Sequence, residues 1–410
     1  MHLFVVVHGM WGSGADVAYI AQQLLAFHGA SCCHVLVSAV NGGTNTYDGV
    51  DVCGERLYDE VVAFVASQTE AQARVTCISF VGYSAGGLYA RYCVGLMQMN
   101  GFFDGITPLS FITLACPHLG VRRGGANAWN RLFNSIAAWS VYRSGAQLTL
   151  ADTDGPAKES LLLAMSRPKS VFVTGLRRFA RLVAFANVTA DRTVPFHTAS
   201  LRRRNLYSLG ADGFDLRARL RDFPHIVASP DSLTLLQLQK HAFQSTAGYG
   251  SEGQVALLEH ESGGGWLELG ARLSIMTILL PVWLVVAPTV TAVIVHRKNA
   301  ANVGKLKYCL PAAEAGTADW DTAAVGVSVI QRATSTNGGT DALQLPAAVV
   351  ASARDIKSEM LQGIGSLPWL RVDVSLPGAH THGRIVVRRP WIDSGGQDVV
   401  KFLVEVALVR

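Results

Sequence analysis

The tract that most restricts what this chain can fold into is Arg74-Val75-Thr76-Cys77-Ile78-Ser79-Phe80-Val81, then Gly82-Tyr83-Ser84-Ala85-Gly86-Gly87, then Leu88-Tyr89-Ala90-Arg91-Tyr92-Cys93. It reads as a strand over 74–81, a G-x-S-x-G turn, and a helix over 86–98. A sharp strand-to-helix turn holds its central residue in a strained conformation, and side chains at the flanking positions would clash. Glycines belong there. The serine hydroxyl is then expected to project above the sheet, at the positive end of the following helix. That is where a nucleophile sits, and Ser84 is the candidate.

The rest of the pattern agrees with an α/β chain. Strands are expected at 3–7, 34–38, 74–81, 109–115, 170–174 and 182–188. Helical patterns fall near 15–28, 52–68, 86–98 and 127–141. Strands separated by helices of this length form βαβ units on a mostly parallel sheet. Residues 200–268 are less regular. A helix over 346–363, strands at 369–375 and 384–389, and a closing helix over 396–408 resume the α/β character. The expected organisation is a core over 1–235, an insertion over 236–345, and a returning core segment over 346–410.

Composition removes several alternatives. Half of the 410 residues are apolar and 16% are charged, which excludes a disordered chain. A net charge of +5 gives no case for a nucleic-acid partner. There is no CxxC pair, zinc spacing or phosphate-cradling glycine loop. Seven cysteines without a framework suggest reduced thiols in the cytosol. Leu3-Phe4-Val5-Val6-Val7, broken by His8-Gly9, is too short for a signal peptide and reads as a buried first strand.

A serine hydroxyl needs a base to take its proton and donors for the oxyanion. The backbone N–H of Ala85 is one expected donor. Met10, in His8-Gly9-Met10-Trp11-Gly12 after the first strand, is the other, with Trp11 as its alternative. In α/β-hydrolases the chain order is serine, acid, histidine. Asp191, just past the strand at 182–188, is the expected acid, with Asp152, Asp154 and Asp212 as competitors in loops. For the base there are His225, His380 and His382. Spacing by itself favours His225.

Taken together, these segments resemble a family of eukaryotic putative serine esterases, lipase-like α/β-hydrolases. The resemblance is carried by His8–Gly12, the turn at Gly82–Gly87, Leu114-Ala115-Cys116-Pro117-His118-Leu119-Gly120, and Asn187-Val188 through Asp191 with Thr198-Ala199-Ser200 downstream. It covers 1–230 well, 345–410 moderately and 240–345 little. The family carries an Ala-His-x-x-Ile-x-Val-like segment after a late strand, and Ile385 and Val387 place its histidine at His382. The resemblance therefore implies Ser84, His382 and Asp191 as a triad that requires no metal or cofactor. Tyr83 stands where relatives often have His, and Cys116 where Thr or Ser is common. Both are expected to stand clear of the chemistry.

Residues 273–295 contain no charge, with Arg272 before and His296-Arg297-Lys298 after. The length would suit a transmembrane span. A single crossing, however, would separate Ser84 and Asp191 from His382. Pro281 and Pro288 each remove a helical hydrogen bond. The expectation is a hairpin that dips into one leaflet or a lipid monolayer, with both ends on the cytosolic face. Trp129, Leu132, Phe133 and Ile136 share one helical face, a candidate lid. Arg202, Arg203, Arg204, Arg217, Arg219 and Arg221 are candidates for an anionic surface. The expected activity is hydrolysis of lipid acyl esters at a membrane or lipid-droplet surface by a protein that is not secreted. The rival readings are an acyltransferase with the same triad, and a membrane-tethering scaffold that has lost turnover.

Overall fold

The computed structural model describes residues 1–70, 73–122, 141–153, 159–203, 207, 218–246, 302, 348–378, 380–390 and 392–409. Eight strands form the sheet: β1 (His2–Val7), β2 (Cys33–Val37), β3 (Cys77–Tyr83), β4 (Thr107–Leu114), β5 (Arg181–Asn187), β6 (Arg219–Leu220), β7 (Phe223–Val227) and β8 (Trp369–Val374). Their order is β2-β1-β3-β4-β5-β8-β7-β6. All neighbours from β2 to β8 run parallel, while β7 is antiparallel to β8 and β6. The fold is that of an α/β-hydrolase.

Continuous apolar runs such as Leu3–Val7 are explained by cover on both faces of the sheet. Leu3, Val5 and Val7 join a core with residues of α2 (Val50–Glu70), α3 (Ala85–Met99) and α4 (Val171–Arg177). Phe4 and Val6 join the opposite core, with residues of α1 (Ala18–His28) and, near the C-terminus, α9 (Ser394–Phe402). Four other helices used below are α5 (Phe196–Ala199), α6 (Pro230–Thr246), α7 (Ala348–Gly363) and α8 (Thr381–Arg384). Helix α3 is buried almost all round, from Ala85 to Met97. It is the central helix behind the sheet.

Two expected strands are not strands. Val171–Arg177 is helical, capped by the Ser170 hydroxyl, which accepts from Val173 N–H at 3.3 Å. Its β-branched run packs by helical spacing, with Phe172, Val173 and Leu176 buried together. Gly95 of α3 leaves the room that Phe172 occupies, since a Cβ there would lie 2.2 Å from the ring. The segment expected as a strand at 384–389 instead starts at the end of α8 and continues as a turn. Ile385, Val386 and Val387 are all buried in succession rather than alternating. Strand β8 already has β5 on one side and β7 on the other, so no edge is open to pair it. The irregular region supplies β6, β7 and α6. The helix expected at 127–141, with the candidate lid side chains, lies outside the described residues except for Val141, and the run at 273–295 lies outside them entirely. Among the described residues no helix is long and apolar enough to cross a membrane.

Three histidines are held neutral by the fold. Burial, then the charges of His28 and the N-terminus, lower His2 to about 4. Burial and then Lys357 lower His197 to about 4, and burial and then Arg91 hold His118 well below the usual range. In the unfolded chain each takes up a proton near its ordinary value of about 6.5, whereas the folded chain resists it. The stability these three contribute is therefore full above that value and is lost as the pH falls from about 6.5 towards 4. Thermal melts across this window should show Tm falling on acidification, with a shallower slope in His118→Gln. A flat Tm would show that the folded chain takes up these protons freely.

Candidate active site

The turn after β3 has the backbone that its glycines require. Ser84 sits at φ 53°, ψ −129°, a left-handed conformation that costs a non-glycine residue about 1–3 kcal/mol. A Cβ at Gly82 would lie 2.5 Å from the Gly87 Cα, and one at Gly86 would lie 2.4 Å from the carbonyl oxygens of Val7 and His8. Both clashes are with backbone, which cannot swing aside. The Ser84 N–H donates to Leu114 O at 2.8 Å, fixing the turn to the end of β4. The hydroxyl is thereby aimed off the C-terminal edge of the sheet, and its side chain is almost fully buried.

The imidazole reaches that hydroxyl from the far end of the chain. His382 lies on α8, just beyond β8. Its Nε2 is 2.9 Å from Ser84 Oγ, and its Nδ1 is 2.9 Å from Asp191 Oδ2. Asp191 follows β5 and is held by four hydrogen bonds. Its Oδ1 accepts from the N–H groups of Thr193 (3.0 Å) and Val194 (2.9 Å). Its Oδ2 accepts from Asn187 Nδ2 (3.1 Å) as well as from His382. Burial pushes this carboxyl up, but His382, the Val194 amide and Asn187 outweigh burial, and the net shift is downward. An ionised Asp191 can only accept, so Nδ1 carries the imidazole proton. Nε2 is then free to accept from the serine hydroxyl. The Thr381 hydroxyl donates to Thr189 O at 3.0 Å and ties the histidine helix to the aspartate loop.

The other candidates are placed elsewhere. His225, on β7, has its Nδ1 2.5 Å from Asp398 of α9. His380 is exposed, in a left-handed turn at φ 62°. Asp152 accepts from Leu161 N–H at 2.8 Å, and burial raises it to about 6. Asp154 and Asp212 lie outside the described residues. Ala85 opens α3 beside the serine. Trp11 N–H donates to Thr46 Oγ1 at 3.2 Å, so Met10 is the free amide of that loop's two candidates. A Cβ at Gly9 would lie 2.7 Å from Ser84 Cβ, which shows how closely this loop approaches the turn. Arg202 is bound to Asp373, which also accepts from Tyr207 Oη at 2.6 Å. That guanidinium is a core ion pair rather than a membrane contact. Arg203 and Arg221 are exposed, while Arg204 and Arg217 lie outside the described residues.

Sequence reasoning misjudged one side chain and overlooked two. Tyr83 does not stand clear of the site: its ring packs on His382, with centroids 5.2 Å apart. Arg388 lies 5.2 Å from the Tyr83 ring centroid, with its Nε 3.3 Å from Asp16 Oδ1. Arg91, fully buried, donates to His118 O (3.1 Å), Met165 O (3.3 Å) and Ser166 Oγ (3.3 Å). It fixes the Pro117–Gly120 loop after β4. A charge in the middle of an apolar helix, as at Arg91, was the available signal. Tyr83 was marked only as a departure from the family's His, with no sign that it would meet His382.

The residue pattern of the family described as "Putative serine esterase (DUF676)" matches residues 1–201. Over that stretch, just under half of the chain, the sequence is similar to this family. A putative lipase of Schizosaccharomyces pombe is 30% identical over 211 residues, covering 50% of this chain and 26% of its own. The putative lipase ROG1 of Saccharomyces cerevisiae is 30% identical over 205 residues, covering 49% of this chain and 28% of its own. The match thus spans about a quarter of the length of these curated relatives. Among solved structures, the phospholipase PlaB from Legionella pneumophila is 14% identical, with 49% of this chain and 42% of that chain covered at a TM-score of 0.31. A lipase-esterase related protein from Clostridium acetobutylicum is 11% identical, with 47% and 76% covered at a TM-score of 0.26.

The steric account of the turn is testable by one methyl group. Gly86→Ala should lose about 2 kcal/mol or more of stability, since the new Cβ meets two carbonyl oxygens that cannot relax. Denaturant melts of the variant measure this, and an unchanged midpoint would contradict the packing.

Proposed function

We propose that the chain is a serine carboxylester hydrolase that cleaves lipid acyl esters at a membrane or lipid-droplet surface. The observation that carries the reading is the unbroken hydrogen-bond chain from Ser84 Oγ through His382 to Asp191. In this mechanism His382 Nε2 takes the hydroxyl proton as Ser84 Oγ attacks the acyl carbonyl, and Asp191 stabilises the imidazolium that forms. The amides of Ala85 and Met10 receive the oxyanion. His382 then gives its proton to the departing alcohol, leaving the acyl group on Ser84. Water enters the alcohol's position, loses its proton to His382 and attacks the ester; the acid leaves and the proton returns to Ser84. No metal or cofactor enters these steps.

The similarity of residues 1–201 to a serine esterase family supports the chemistry, and the lipase names of the relatives support a lipid ester. The surface association rests on the uncharged run 273–295 and its basic flanks. Both ends of the run must lie on the side where Ser84 meets His382, so a leaflet-dipping hairpin on the cytosolic face satisfies the site, whereas one crossing does not.

A fluorophosphonate probe should label the folded chain and fail to label Ser84→Ala. His382→Ala should lose about 10³-fold or more in turnover of a p-nitrophenyl ester, whereas His225→Ala should stay within about threefold. Absence of labelling of folded wild-type chain would overturn the reading in favour of an inactive scaffold. Separately, removal of 273–295 should abolish co-sedimentation with liposomes and leave probe labelling in place. Undiminished sedimentation would refute the role given to the run.

A further inference from the structure

Several half-buried cations in this fold are paired with carboxylates. Arg56 pairs with Asp48 at 2.6 Å, Arg143 with Asp51, and Arg202 with Asp373. Arg181 has no carboxylate but spends its guanidinium on three carbonyls of residues 406–408. Arg91 and Arg371 likewise donate only to neutral oxygens, and Lys357 of α7 joins this group. Its ammonium donates to Arg122 O at 3.0 Å and to His197 Nε2 at 3.4 Å, both of them neutral acceptors. Burial and then the neighbouring Arg122 guanidinium lower it to about 8. No carboxylate among the described residues pairs with Lys357, Arg122 or His197. The sequence is equally one-sided, because residues 105–151 carry four arginines and not one Asp or Glu.

The location ties this charge to the site. Arg122 follows the Pro117–Gly120 loop at the end of β4, which Arg91 anchors from beneath. His197 lies on α5, a short way past Asp191, and Thr198 of the same helix accepts from Leu119 N–H at 2.8 Å. The cluster therefore stands at the C-terminal ends of β4 and β5, on the sheet edge that also carries Ser84 and Asp191. A desolvated ammonium without a counter-charge is costly, and a bound anion would remove that cost. His197 accepts from Lys357 at Nε2, so its proton lies on Nδ1, a further donor.

We propose that Lys357, Arg122 and His197 form an anion subsite beside the active serine that takes a phosphate monoester, the head group of a lysophosphatidate-type acyl ester. The assignment rests on the serine hydrolase reading and names the polar end of its substrate. Phosphate suits the site because a Lys and an Arg together supply charge-assisted donors for several oxygens of one group.

Binding rather than turnover tests it, using full-length Ser84→Ala so that the outcome does not depend on catalysis. Calorimetry with a short-chain lysophosphatidate, the matching monoacylglycerol and inorganic phosphate, below micellar concentrations, separates the sources. The lysophosphatidate should bind about tenfold or more tightly than the monoacylglycerol. Lys357→Gln and Arg122→Gln, each added to Ser84→Ala, should erase that preference. Arg122→Gln retains the carbonyl that Lys357 uses, so it remains informative should Lys357→Gln fail to fold. Equal binding of the two lipids, or a preference unchanged in Arg122→Gln, would overturn the subsite. Inorganic phosphate binding as tightly as the lysophosphatidate would overturn the head-group assignment and leave a site for the free anion. Loss of fluorophosphonate labelling in the wild-type chain would defeat the hydrolase reading without touching this result.

Discussion

The close approach of α3 to the ends of β1 and β3 is the constraint on which the rest of the structure depends. There is no space for a Cβ at Gly82 or Gly86, so the helix begins directly against the sheet. That contact forces Ser84 into a left-handed backbone and lifts its hydroxyl off the C-terminal edge. The same contact brings the loop after β1 against the serine, since Gly9 is equally crowded by Ser84 Cβ. Strain at one residue is thus the geometric result of packing that stabilises many others. The serine is placed by the core rather than by its own partners.

The strain is not confined to that residue. Trp11 after β1, Ala115 after β4, Ala190 after β5 and His380 after β8 also have positive φ without being glycine. Each marks a strand end on the edge that carries the site. The polar bonds that hold these loops are between neighbours: Thr381 to Thr189, Leu119 to Thr198, and Trp11 to Thr46. The edge is held by side-chain ties from loop to loop, above a sheet that supplies the main-chain pairing.

What was legible in the sequence follows from how local each signal is. The turn at 82–87 was legible because its glycines answer contacts within a few residues, and Asp191 because it closes a single strand. Parallel strands buried on both faces announce themselves as unbroken apolar runs. The same signal misleads at Val171–Arg177, where β-branched residues line a short helix because Gly95 of α3 opens a groove for Phe172. It misleads again at 385–387, where the apolar residues fill the core without a free strand edge to join. The histidine could not be chosen by spacing. His225 has the more favourable interval after Asp191, but β7 runs antiparallel and its imidazole meets Asp398 instead. Only the family resemblance pointed to His382, because its placement depends on where β8 enters the sheet. The packing of Tyr83 on His382 was invisible for the same reason, its neighbour in space being distant in the chain.

Strand β8 has a consequence for the order in which the molecule is made. It inserts between β5 and β7, yet it is synthesised long after either of them. A ribosome-bound chain that has emerged only through β7 holds the serine and its carboxylate without the imidazole that joins them. Under the proposed triad the segment from β8 to α8 supplies the base, and a chain that stops short of it would keep the family pattern over 1–201 without an imidazole at Ser84.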